Sequence, residues 1–258
     1  MKTMKEETGY REEQGLRLAW KSDPGPRRET NEDALYTEPV AGSLRESHGR
    51  LLLVADGLGG HASGEVASGL ARDRIPRIFY ESPPGENPLR RAFQEVHREI
   101  RQLAGSELQY YGMGTTCTAL LLHGKRLSLA HVGDSRAYLL RDGVLELLTR
   151  DHTLTEKLIA EGTLLPEEAE GHRGRHILVS SLGSDSPLRA DFEQEPRPLQ
   201  AGDRLLLCTD GLSSPVPQSR IREMMLEGHL PELATDLVEE AKKRGGTDNI
   251  TVLIADWD

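Results

Sequence analysis

Cysteine is scarce: Cys117 and Cys208 are the only two in 258 residues. Each sits inside an apolar run, "TTCTALLL" and "RLLLCTDG". Both therefore read as buried structural thiols rather than a disulfide framework or a reactive pair. Two lone cysteines also suit a reducing cytoplasm. Long apolar runs are missing as well. None approaches the roughly 18–20 residues of a membrane span, so no membrane partner is expected. The opening stretch "MKTMKEETGYREEQG" carries charge but no apolar region. It is expected to be a flexible tail over residues 1–15 rather than a secretory signal. Positive charge is in deficit, with 32 Lys+Arg against 42 Asp+Glu and a net charge of −10. A nucleic-acid partner would want a basic face and is disfavoured. The excess acid suits either bound cations or a solubilising surface. Internal repeats and long low-complexity linkers are also absent. A hydrophobic content of 36% with 29% charged residues is that of a globular chain. One domain over residues 16–258 is the simplest organisation, long enough to bury a sizeable core.

What is present is a set of apolar runs with strand character: 16–20, 50–56, 115–123, 126–132, 135–141, 204–210 and 249–256. "LLHGKRLSL" and "LLRDGVLEL" read as hairpins, which forces antiparallel pairing. Residues 87–104 place Leu89, Phe93, Val96, Ile100 and Leu103 on one helical face, with Asn87 as cap and Pro88 in the first turn. Residues 64–75, 154–162 and 231–246 are further predicted helices, and 162–176 and 213–219 are predicted loops, the first long enough for a lid. Strands and helices do not alternate one to one, so a doubly wound parallel sheet is unfavourable. Antiparallel sheets covered by helices are expected.

Carboxylates recur where these runs end. Asp56 and Asp210 each close an apolar run and precede glycine, in "VADG" and "CTDG". Asp248 stands just before a run, in "GGTDNITVLI", and Asp134 between two runs, in "AHVGDSRAY"; Glu32 and Asp33 belong to "NED" before "ALY". A carboxylate at the rim of a buried strand is costly unless paired. Several such rims meeting in one place make a negative pocket that a hard, oxygen-seeking cation such as Mg²⁺ or Mn²⁺ relieves. Glycine after aspartate would let the backbone carbonyl approach the cation. Any single Asp-Gly is more simply a turn, and "RDG" at 141–143 reads as one.

In order along the chain, "SDPGPRRETNED", "VADGLGGHASGE", "GMGTTCTALLL", "HVGDSRAYLLRDG", "TRDHTLTEKLIAEG", "LLLCTDGLS" and "GGTDNITVLI" resemble the metal-dependent serine/threonine protein phosphatases of the PPM (type 2C) family, in its bacterial single-domain form. The resemblance implies an α+β fold, a four-layer α-β-β-α sandwich of two packed antiparallel sheets flanked by helices. It also implies a Mn²⁺ or Mg²⁺ centre with two tight sites and a third, weaker one. By that likeness Asp56 bridges two cations and Gly57 offers its carbonyl. Asp210 and Asp248 complete one coordination sphere. Asp33 and Glu32 lie beside the other, partly through water. Asp134 shares the third with Asp210. Arg28 holds the substrate phosphate, with Arg27 its rival in register, and Asn249 orients a neighbour or a water. Implied partners are phosphorylated proteins and a cognate bacterial Ser/Thr kinase, and the implied state is a cytoplasmic monomer.

The chemistry is coherent: two nearby cations acidify a shared water that attacks phosphorus in line, and an arginine fork fits phosphate oxygens. The lone histidines, His61, His131, His152, His172 and His176, read as packed or surface residues, since an oxygen-rich site does not ask for imidazole. Departures from the family pattern are Leu58 after "DG", Ser214 in "DGLSS", and Val179–Ser180 in "HRGRHILVSSLG". The last places substrate contacts near the lid in question more than the metals. Rival readings are a regulator phosphatase of the same fold, a catalytically dead phospho-binding adaptor, and an acidic Ca²⁺ module. The "RETNED" segment counts against the first, the intact aspartates against the second, and the absence of EF-hand spacing against the third.

Overall fold

Successive side chains of a strand point to opposite faces, and in the run Leu51–Val54 both faces are covered. Leu52 and Val54 pack between two sheets, whereas Leu51 and Leu53 pack against helices. Leu205 and Leu207 divide from Leu206 and Cys208 in the same way. That double burial is why these strands are apolar at consecutive positions instead of alternating. The computed structural model describes residues 6–13, 15–59, 63–83, 85, 87–169, 171–193 and 195–258.

The first sheet runs in the order β1 (Glu7–Glu13), β2 (Leu16–Asp23), β13 (Ile250–Trp257), β12 (Arg204–Cys208), β8 (Arg136–Arg141) and β9 (Val144–Leu147). The second runs β10 (Asp191–Phe192), β7 (Arg126–Val132), β6 (Cys117–His123), β4 (Arg50–Leu58) and β3 (Asp33–Tyr36). The short β11 (Arg197–Pro198) pairs with β7, and β5 (Gly114–Thr115) with β4. The pairings within both sheets are antiparallel. Both expected hairpins form; at the β8–β9 turn Asp142 (φ 49°) and Gly143 (φ 77°) are both left-handed, the geometry that matches strand twist.

Helices α2 (Ser63–Glu81) and α3 (Pro88–Ser106) cover the second sheet, and α6 (Gln218–Glu227) and α7 (Leu230–Lys243) the first. The shorter α1 (Gly42–His48), α4 (Leu154–Ala160) and α5 (Asp210–Ser213) lie in connections. The layers are therefore helix, sheet, sheet, helix, as the resemblance implies. No helix among the described residues is long and apolar enough to cross a membrane.

The structure departs from the sequence reading in several places. The expected tail is partly ordered: residues 7–13 form an edge strand paired along β2, held by Lys21 Nζ to Glu6 Oε1 (2.8 Å) and Trp20 Nε1 to Glu7 Oε1 (3.2 Å). Helix α2 continues through Pro76 to Glu81, because Phe79 beyond the proline is buried in the same core as Ile75. Asn87 precedes α3 but does not cap it; its backbone is left-handed (φ 49°) and its side chain bonds no helix N–H. Finally, α1, α5 and α6 stand where no helix was expected, and β3, β10 and β11 where no strand was.

Candidate active site

One end of the sandwich collects the strand ends that carry the acids. In the second sheet Asp33 opens β3 directly opposite Asp56 near the end of β4. In the first sheet β12 ends at Cys208, with Asp210 beginning α5, and Asp248 lies just ahead of β13. Asp134 sits in the link from β7 of one sheet to β8 of the other. Residues distant in sequence thus meet because hairpin topology returns the same ends of neighbouring strands to one pole.

Asp56 is pinned from both flanks. Its N–H donates to Thr116 Oγ1 (2.9 Å), and its carbonyl accepts from Thr115 Oγ1 (2.8 Å) and the Thr116 N–H (2.9 Å). On the other side the Gly57 N–H donates to the Glu32 carbonyl (3.1 Å). A Cβ on Gly57 would lie 2.3 Å from the Gly64 carbonyl oxygen and 2.6 Å from that of Glu32. The glycine after Asp56 is thus required by close packing of β4 against the start of α2, a reason separate from any carbonyl ligation.

Arg28, Glu32, Asp56, Gly57, Asp134, Asp210 and Asp248, the residues singled out from sequence, all line one cleft of about 620 Å³. Asp33 lies beneath it, fully buried, its Oδ2 accepting from Thr209 Oγ1 (2.8 Å). Its Oδ1 is buried without a hydrogen-bond partner among the described residues. Asn249, also buried, is a clamp: its Oδ1 accepts from the Glu32 N–H (2.8 Å), and its Nδ2 donates to the carbonyls of Pro24 (3.0 Å) and Thr30 (2.9 Å). It holds the loop that carries Arg28. Arg28 Nη2 donates to Asp248 Oδ2 (2.9 Å), whose Oδ1 accepts from the Asn249 N–H (2.8 Å). Arg27 does not line the cleft.

The acids strain against one another. Burial, opposed in part by its hydroxyl hydrogen bonds, pushes the Asp33 carboxyl up to about 7. Burial and then Asp210 and Asp151 push Asp134 to about 8. Asp56 is raised well above the usual carboxylate range by burial and then by Asp33, Asp210 and Asp134. Asp210 is raised by burial and Asp248. These protons belong to the cluster rather than to single residues. Among the described residues no three His, Cys, Asp or Glu side chains are grouped so as to hold a metal ion by themselves. The convergence is of separate strand ends on a cleft, which suits hard cations that keep several waters. The unpartnered Asp33 oxygen, the oxygen-only donors and the mutual repulsion all fit such a cation.

A match to the Protein phosphatase 2C family extends over residues 27–245. The chain belongs to the protein phosphatase 2C family. It is 42% identical over 247 residues to the serine/threonine protein phosphatase PstP of Mycobacterium tuberculosis, covering 93% of this chain and 45% of that protein. The chain thus spans less than half the length of that relative. It is 38% identical over 215 residues to the serine/threonine phosphatase Stp of Listeria monocytogenes, covering 81% of this chain and 84% of that one. The crystal structure of the PstP catalytic domain in complex with two manganese ions superposes with a TM-score of 0.77 at 40% identity, over 93% of this chain and 97% of that chain.

Within this 2C scaffold the cleft is also lined by Arg175 and Arg244, which the sequence did not single out, and by His176, which it read as a packed or surface residue. His176 Nδ1 lies 3.7 Å from Asp210 Oδ2, and its Nε2 accepts from Arg175 Nε (2.8 Å). The only trace in the sequence is the departure of 172–183 from the family pattern. His131 and His152 are instead bound into the scaffold, His131 between Thr118 and the Arg150 carbonyl and His152 against the Gly133 N–H and Asp191. His61 lies outside the described residues.

Proposed function

We propose that this chain is a Mn²⁺- or Mg²⁺-dependent phosphatase that hydrolyses phosphoserine and phosphothreonine in proteins. The observation that carries this reading is the convergence of Asp56, Asp134, Asp210 and Asp248, with Asp33 beneath, on a cleft that also holds Arg28. Cations bound there, by Asp56, Gly57, Asp33, Asp210 and Asp248 and more weakly by Asp134 with Asp210, would supply acidified water for attack at phosphorus. Arg28 binds the phosphate oxygens and orients phosphorus over the acids. Asn249 keeps that arginine in register by fixing its loop. The carboxylates alone repel a phosphate dianion, so binding and turnover are both expected to require cation. Neither thiol is a candidate nucleophile: both cysteines are buried, and burial pushes Cys208 up to about 12 and Cys117 well above its usual range. Two unpaired buried thiols also support a reducing, cytoplasmic setting, and the proposed partners are phosphorylated proteins and the bacterial Ser/Thr kinase that marks them, met by a monomer.

The test is hydrolysis of p-nitrophenyl phosphate and of a phosphothreonine peptide, with Mn²⁺ and with excess chelator. Both activities should vanish with chelator and return with Mn²⁺. Asp56→Asn or Asp210→Asn should abolish both and weaken Mn²⁺ binding, because a neutral amide is a poor ligand for a hard cation. Chelator-resistant turnover would overturn the reading.

A further inference from the structure

A phosphomonoester needs one guanidinium fork, and Arg28 supplies it. The same cleft is lined by two more, Arg175 and Arg244. They come from unrelated places in the chain: Arg175 from the segment after α4, and Arg244 from the C-terminal end of α7. Both are exposed. Arg175 is steadied at the cleft by its bond to His176, and Arg244 by Nε to Glu240 Oε1 (2.8 Å), one turn back on its own helix. The carboxylate floor explains cations, and Arg28 explains the phosphate, but neither explains this additional positive rim. The cleft, at about 620 Å³, has the room of a site for a whole ligand rather than one phosphorylated side chain.

We propose that Arg175 and Arg244 select substrates in which the phosphorylated residue is flanked by Asp or Glu. This rests on the phosphatase reading above. With its oxygens filled by phosphate and Arg28, the centre of the cleft leaves the neighbouring residues of a bound peptide to meet the rim, where a carboxylate finds a planar, permanently charged fork. The protein's net charge of −10 opposes acidic ligands at a distance. At physiological ionic strength that field decays over about 8 Å, whereas rim contacts form at hydrogen-bonding distance, so the local arginines decide the preference.

The experiment compares phosphothreonine peptides identical except for Asp, Ala or Lys on both sides of the phosphorylated residue, with Mn²⁺ present. The wild type should favour the Asp peptide over the Ala peptide by roughly 10-fold in kcat/KM, the scale of one charge-assisted hydrogen bond, expressed mainly in KM. The advantage should shrink as salt rises. In Arg175→Ala/Arg244→Ala the Asp-to-Ala ratio should fall towards one, and Arg175→Lys/Arg244→Lys should restore part of it. A wild-type enzyme that hydrolyses p-nitrophenyl phosphate but treats the three peptides alike, or prefers Lys, overturns this proposal and leaves the phosphatase reading standing. Failure on p-nitrophenyl phosphate and on every peptide overturns both. Because the wild-type comparison needs no variant, a variant that does not fold does not decide the matter.

Discussion

Arg28 and Asp248 meet at 2.9 Å with both side chains about half exposed. Such a pair contributes only about 0–1 kcal/mol to stability. Arg28→Ala is therefore expected to melt within about 4 °C of wild type while losing roughly 10–150-fold in kcat/KM, the worth of a charge-assisted phosphate contact of ~1.5–3 kcal/mol. Arg27→Ala should lose far less, and the opposite ranking would move the phosphate to Arg27. Asn249 behaves differently because it is buried and its amide satisfies three backbone groups. Removing it strands those groups, so Asn249→Ala should destabilise by about 2–4 kcal/mol and reduce kcat/KM together, measured by urea unfolding and peptide kinetics. Stability unchanged in that variant would mean that the loop carrying Arg28 is held by something else. These two residues also differ in legibility. Arg28 belongs to a quotable motif, but the clamp joins Asn249 to a loop more than two hundred residues earlier, and nothing local in "TDNI" announces it.

Elements were legible in proportion to how fully both faces are buried. β4, β6, β12 and β13 read plainly, because apolar residues at consecutive positions leave little choice. β1 did not, since an edge strand with an exposed face carries "ETGYREE" and looks like any charged tail. α6 has only Ile221 and Met225 fully buried, too few to make a periodic signal, and α2 outran its expected end because packing of Phe79 outweighs one proline. The carboxylate ends of β4 and the run into α5 were visible as Asp-Gly after apolar runs, whereas the burial of Asp33 follows only from the pairing of β3 with β4. The segment between α4 and β10 is fixed at its base: the Leu154 N–H bonds the Ile177 carbonyl (2.8 Å), the Val179 N–H that of His152 (2.8 Å), and Thr115 pairs with Leu182. Shortening 163–172, beyond those anchors, should therefore leave the fold intact and reduce turnover of phosphopeptides more than that of p-nitrophenyl phosphate, since loops carry recognition on a fixed scaffold. Equal losses on both substrates, with a lowered melting temperature, would make this segment part of the support of the site.

At the scale of the whole molecule, Asp33, Asp56, Asp134 and Asp210 all bind their protons more tightly when folded than a free carboxylate does. Between about pH 4 and pH 8 the metal-free native state therefore holds more protons than the unfolded chain, and its stability falls as pH rises. Melting with chelator present should show a lower midpoint at pH 8 than at pH 6. Asp134→Asn, lacking the carboxylate pushed to about 8, should raise the midpoint at pH 8 and flatten the slope; identical slopes in both proteins would contradict the cluster's repulsion. Mn²⁺ at 100 times its dissociation constant should add about 2.7 kcal/mol, roughly 5–10 °C, and release protons on binding. The placement of the acids gives that gain a direction. Asp33 and Asp56 lie in one sheet, Asp210 and Asp248 flank strands of the other, and Asp134 lies in the strand link between them, so a cation at this pole adds a tie between two leaves otherwise held by interleaved apolar side chains and by peripheral ion pairs such as Arg50 with Glu13 and Arg197 with Glu146. The sandwich then resembles a book bound along one edge. Amide hydrogen exchange should slow on Mn²⁺ binding at the spine, around β3, the end of β4 and the start of β13, while the opposite edge, where Leu16 and Trp257 lie and Arg50 already pairs with Glu13 across the sheets, keeps its original rate of opening.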